Sequence, residues 1–114
     1  MDAHHDPRLV LEVADHTAEI CPQQAEEDVE FYLGRDAAND FVYGTELASR
    51  RHARIERRHK DYYLVDCSTN GTYVQTEDER VTHVHRDTVK LWGQGWISLG
   101  QPLNVGRPIH FRQG

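Results

Sequence analysis

Hydrophobic positions in this chain recur mainly at every second residue. Leu9, Leu11 and Val13 share one face of an extended segment. Val29, Phe31 and Leu33 share a face of another, with Glu30 and Tyr32 opposite, as a period of two requires of a strand. Phe41-Val42-Tyr43 is a short apolar run. From His52 to Glu56 the alternation resumes, with Ala53 and Ile55 inward and Arg54 and Glu56 outward. Arg58-His59-Lys60-Asp61 is polar and predicts a hairpin turn into Tyr62-Tyr63-Leu64-Val65. Thr72–Gln75, Val81–His85, Thr88–Trp92, Trp96–Leu99 and Ile109–Phe111 are further strand candidates, separated by Asn70-Gly71, Gly93-Gln94-Gly95, Gly100 and Gly106.

Many short strands without a long 3.6-period segment predict an all-β sandwich or barrel. The stretch His16–Asp28 stays open: Ala25-Glu26-Glu27-Asp28 suits one helical turn, while Pro22 and the acids suit a loop. There is no internal repeat, low-complexity tract or linker. The expected organisation is a tail over residues 1–7 and one domain over residues 8–112.

With 114 residues, one core is expected. No apolar stretch approaches the roughly 20 residues of a membrane helix. Met1-Asp2-Ala3-His4-His5-Asp6 has neither a basic nor an apolar leader region. Cys21 and Cys67 are therefore expected as free thiols in a reducing, cytoplasmic setting. The formal charge of −6 argues against a general nucleic-acid binder.

That total conceals a split: residues 1–48 carry −10 and residues 49–114 carry +4. Six of the 13 bases are Arg50, Arg51, Arg54, Arg57, Arg58 and Lys60. Arg54, Arg57 and Arg58 read as a solvated hairpin face, whereas Arg50 and Arg51 lie closer to the candidate site. A local basic cluster on an acidic chain suggests a specific anionic ligand.

Four turns carry the chemistry: Gly34-Arg35, Ser49-Arg50-Arg51-His52, Ser68-Thr69-Asn70-Gly71-Thr72, and Gly93 to Gly100. Guanidinium, hydroxyls, loop amides and an asparagine are what a phosphate monoester on a peptide backbone would need. The set Gly34-Arg35, Ser49-x-x-His52 and Asn70-Gly71, each joined to a strand, resembles the forkhead-associated (FHA) domain family over about residues 8–112. The flanks Leu33, Asn39-Asp40, Ala53-Arg54-Ile55 and Leu64-Val65-Asp66 fit as well.

The resemblance implies a two-sheet β-sandwich whose loops at one end bind a phosphothreonine peptide. It implies phosphate contacts from Arg35, Ser49 and Thr69, a phosphate or peptide contact from Arg50, and a peptide-backbone contact from Asn70. Gly34, His52 and Gly71 would hold the loops. Gly71 fits a left-handed turn, and Gly34 a tight backbone turn before Arg35. Gly95-Trp96 stands where the family usually has Gly-Asp, and Val81–Trp92 is long enough to predict an extra hairpin. The variant is similar to FHA modules joined to bacterial nucleotide cyclases and other signalling proteins.

The expected function is phosphothreonine-peptide binding without catalysis or cofactor, by a monomer or weak homodimer. An effector domain is expected beyond Gly114. The alternative is an oligomerisation or intramolecular regulatory module that does not require phosphate. A Ser49–His52–Asp66 or Ser49–His52–Asp87 triad lacks a nucleophile elbow. His83 and His85, with Cys67 or His110, have no telling metal spacing and read as solvent-facing. Asn70-Gly71-Thr72 reads as turn chemistry rather than a glycosylation site. Trp92 and Trp96 read as core or cross-strand packing.

Overall fold

In the computed structural model, which describes residues 8–14, 16–20, 30–59 and 61–113, the alternation resolves into two stacked sheets. The strands are β1 (Leu9–Val13), β2 (His16–Ile20), β3 (Glu30–Gly34), β4 (Phe41–Val42), β5 (Ala53–Arg58), β6 (Asp61–Asp66), β7 (Thr72–Gln75), β8 (Val81–Val84), β9 (Thr88–Leu91), β10 (Gln94–Leu99) and β11 (Ile109–Gln113). One sheet has the order β2-β1-β11-β10-β7-β8 and the other β4-β3-β5-β6-β9. The short β3–β4 pair is parallel. The all-β sandwich expected from the sequence is the fold observed.

Inward positions follow the predicted period. Leu9 and Leu11 on β1, Leu33 on β3, Ile55 on β5, Tyr62 and Leu64 on β6, Val74 on β7, Ile97 on β10 and Phe111 on β11 fill the space between the sheets. The Tyr62 hydroxyl donates to the Ile20 carbonyl at 3.2 Å and so joins β6 to β2 of the opposite sheet.

Two expectations change, and a third holds in part. His16–Ile20, the first part of the open stretch, is an edge strand paired with β1 from Leu9↔Ile20 to Val13↔His16. Only Ile20 is fully buried on it, which is why the pattern is faint. The extra hairpin over Val81–Trp92 does not form: β8 pairs with β7 and β9 with β6, so this segment crosses between the sheets. Trp92 and Trp96 are 40% and 41% exposed, and Trp96 packs across the strand pair on His110, ring centroids 4.7 Å apart. Cys67 is a free, exposed thiol. The helical turn considered for Ala25–Asp28, together with Val29, Cys21, Lys60 and the 1–7 tail, lies outside the described residues.

Two features of this fold place the loops at one end. The first is polar chemistry inside the core. On β6 the inward residues are Tyr62, Leu64 and then Asp66, so the alternation delivers a carboxylate to the end of the sandwich. Asp66 Oδ1 accepts from the hydroxyls of Ser68 (2.7 Å) and Thr72 (2.6 Å). Its Oδ2 accepts from the N–H groups of Arg86 (2.8 Å) and Ser68 (3.2 Å). Burial raises the Asp66 pKa, but these four donors together outweigh it and hold the carboxyl below its ordinary value.

The second is a close approach. A Cβ on Gly34 would stand 2.1 Å from the Arg50 carbonyl oxygen and 2.8 Å from Asn39 Nδ2. Gly34 is thus needed for proximity to the β4–β5 connection, not for the tight turn expected from the sequence; its φ is not positive.

Asp66→Ala strands two hydroxyls and two N–H groups, and should cost roughly 3 kcal/mol at neutral pH in denaturant unfolding. The lowered Asp66 pKa means its contribution is present above the unfolded value near pH 4 and is lost as pH falls through the folded one. The acid limb of the parent's stability curve below about pH 4 should therefore be shallower in the variant. Gly34→Ala should cost roughly 1–3 kcal/mol, read as a lower melting midpoint.

Candidate functional site

Three connections meet at the end of the sandwich where β3 finishes and β5 begins: residues 35–40, 43–52 and 67–71. They are joined by backbone. Arg35 N–H donates to the Ser49 carbonyl and Asp36 N–H to the Arg50 carbonyl, both at 3.1 Å. Asn39 Nδ2 donates to the carbonyls of Asp36 and Arg50, which locks the first connection to the second.

His52 links the second connection to the third. It is fully buried. Its Nδ1 accepts from the Ser49 N–H at 2.9 Å, so Nε2 carries the proton and donates to the Gly71 carbonyl at 2.8 Å. Burial lowers the His52 pKa, and this outweighs the raising effects of the Gly71 carbonyl and of Asp66. The ring is neutral, and its 3.8 Å approach to Asp66 is not an ion pair. Both ring nitrogens are committed to backbone groups and neither bonds the Ser49 hydroxyl, so the hydrolase triad is not assembled.

The candidate ligand residues are brought together on this frame. Arg35 Nε donates to the Ala48 carbonyl at 2.9 Å, which orients the guanidinium and leaves both Nη groups without a hydrogen bond among the described residues. Ser49 Oγ accepts from the Thr69 N–H at 3.2 Å, so its own proton remains available. The Thr69 hydroxyl and the Asn70 Oδ1 have no partner among the described residues, while Asn70 Nδ2 donates to the Leu47 carbonyl at 2.9 Å. Arg50 is exposed and its side chain is unpaired among the described residues. Arg51 is turned elsewhere, its guanidinium 4.3 Å above the Tyr32 ring.

Gly71 has φ +89°, and a Cβ there would meet His83 Nε2 at 2.3 Å. His83 supports this end without a local sequence signal that marks it. Asp66 and Thr72 support it as well, and inward-facing polar residues at the close of β6 and the start of β7 are a readable sign. Among the described residues no group of three His, Cys, Asp or Glu side chains is gathered as a metal site would need.

The FHA-domain family model matches residues 31–100, more than half of the chain. The chain is 30% identical over 78 residues to the FHA domain-containing protein FhaB of Mycolicibacterium smegmatis, a match covering 68% of this chain and 43% of that protein. The chain therefore spans less than half the length of this curated relative. Among solved structures it superposes on Mycobacterium tuberculosis Rv1747 FHA-1 with a TM-score of 0.74 at 20% identity, covering 96% of this chain and 99% of that one. It superposes on the N-terminal FHA domain of S. cerevisiae Rad53p in complex with a phosphothreonine peptide with a TM-score of 0.72 at 15% identity, covering 94% of each. At such identities the likeness is one of fold, and the family match carries the assignment. The chain belongs to the FHA-domain family.

Proposed function

We propose that this domain binds a phosphothreonine peptide without chemically altering it. The observation that carries this reading is the set of donors, unpaired among the described residues, on three joined connections: the Arg35 Nη groups, the Ser49 and Thr69 hydroxyls and the Arg50 guanidinium. A phosphate dianion offers three acceptor oxygens, and charge-assisted bonds from a guanidinium are the strong ones. Asn70, with Oδ1 open and Nδ2 already anchored, is suited to accept an N–H from an extended peptide.

The Rad53p complex with a phosphothreonine peptide supports the reading by analogy of fold. A place in a larger signalling protein is in keeping with FhaB, of which the match covers only 43%. An attached nucleotide cyclase rests on the sequence resemblance alone.

Arg35→Ala should weaken binding of a phosphothreonine peptide ten- to a hundredfold by calorimetry, as expected when a charge-assisted pair worth about 1.5–3 kcal/mol is removed. Affinity unchanged by that substitution, or by dephosphorylating the peptide, would sink the proposal.

The second phosphate pKa lies near 6, so affinity should fall as pH drops below about 6. Folding moves in the same direction. With its pKa lowered in the folded state, His52 contributes stability above the unfolded value near pH 6.5, and this declines as pH falls below it. A melting curve recorded at each pH separates the two effects.

A further inference from the structure

Gly71 creates a problem that the candidate contacts do not solve. With no Cβ and φ at +89°, the peptide plane between Asn70 and Gly71 can rotate with little steric penalty. Such a rotation swings the Asn70 carbonyl and alters the backbone from which the Asn70 side chain projects. A glycine is nonetheless favoured there, because a φ of +89° suits few residues with a Cβ and the His83 ring fills the space one would take.

The plane is pinned at both of its polar atoms. The Gly71 N–H donates to Ser68 Oγ at 2.7 Å, and that hydroxyl is itself held by Asp66. The Asn70 carbonyl at the other end meets His83 Nε2 at 3.2 Å. A carbonyl only accepts, so Nε2 is the protonated nitrogen of His83.

His83 is itself set in place by stacking. Its ring lies 4.3 Å from the Tyr73 ring at 18° and 6.2 Å from the His85 ring at 13°, and Tyr73 is its cross-strand partner on β7. The same imidazole occupies the space a Gly71 Cβ would take, 2.3 Å from that position. The remaining described tethers of this connection come from other sides: Ser49 Oγ to Thr69 N–H, Leu47 O to the Asn70 side chain, and His52 and the Gly100 N–H to Gly71 O.

We propose that His83 is a positioning residue for the phosphopeptide site: through its bond to the Asn70 carbonyl it selects one orientation of the Asn70–Gly71 peptide and so aims Asn70 at the ligand. His83 touches no ligand in this role. The proposal rests on the phosphothreonine-peptide reading for its functional consequence, but its structural half does not.

The test compares His83→Ala, His83→Phe and His83→Gln with the parent by calorimetry on one phosphothreonine peptide, alongside thermal melts. The same proteins without peptide are followed through the Asn70 side-chain and Gly71 backbone amide resonances. Loss of one positioning hydrogen bond predicts about three- to tenfold weaker binding for His83→Ala. His83→Phe keeps a ring against Tyr73 but offers no donor, and should bind as weakly as His83→Ala. His83→Gln restores a donor and should recover most of the affinity. The Asn70 and Gly71 resonances should shift or broaden in the Ala and Phe variants and return toward the parent in Gln.

Parent-like binding by His83→Phe, or no recovery in His83→Gln while both remain folded, overturns the proposal. Should His83→Ala fail to fold, the Phe–Gln comparison decides. A parent that ignores phosphothreonine peptide while the resonances behave as expected defeats the binding reading alone; unmoved resonances defeat the positioning.

Discussion

A buried neutral imidazole holds the working end of this domain together. His52 sits where two connections approach each other, and its two nitrogens do opposite jobs, accepting from Ser49 N–H and donating to Gly71 C=O. Only the neutral tautomer protonated at Nε2 can do both. Protonation would set a second N–H against the Ser49 N–H and bury a charge, so the burial that lowers the pKa and the two-sided bonding select the same state. Once that spacing is set, the Ser49 hydroxyl can reach Thr69 and the Asn70 side chain can reach Leu47. The candidate ligand groups therefore inherit their geometry from a residue that meets no ligand.

The polar layer beneath this bridge explains how a β-sandwich can afford a rigid loop end. Asp66, Ser68 and Thr72 are each at most 3% exposed, which would be costly if any were unpaired. Both Asp66 oxygens and both hydroxyls are bonded, so the layer is satisfied rather than merely tolerated. Because Arg86 N–H supplies one of those bonds, the crossover from β8 to β9 is drawn toward the same end as the third connection. The route taken by Val81–Trp92 between the sheets thus has a polar cause as well as a topological one.

These facts also mark what the sequence could disclose. Alternation is legible where one face is wholly apolar, as in Leu9-Leu11-Val13 or Ala53-Ile55. It is faint in β2, an edge strand with one fully buried residue. It cannot tell a hairpin from a crossover, because Val81–Leu91 has the same pattern whether β8 and β9 pair or part. The residues of the candidate site stood out because Arg, Ser and Asn beside glycines in successive turns form a recognisable chemistry. Their supports did not stand out. The need for Gly34 comes from a carbonyl sixteen residues later, and the place of His83 comes from a stack on a neighbouring strand. Such dependences between distant residues leave no local periodicity.

Charge shows the same separation between what is counted and what is placed. The described bases from Arg50 to Arg58 form a cluster in sequence but engage different partners. Arg54 and Arg58 both bond Glu56, at 2.7 and 2.8 Å, and their hydrogen bonds hold that carboxyl below its ordinary pKa, with Arg58 the stronger influence. Arg51 lies over Tyr32. On β5, therefore, Glu56 offsets part of the charge of Arg54 and Arg58 along the solvent face, as neighbouring pairs commonly do. Among the described residues the Arg35 Nη groups and the Arg50 guanidinium have no partner, and they belong to the same joined connections as Ser49 and Thr69. The net charge of −6 disfavours broad association with a polyanion. On the proposed function, a single phosphate engages the end where these two guanidinium groups stand. On that same reading, selectivity for a small anion rests on where the pairing stops, not on how many bases the chain contains.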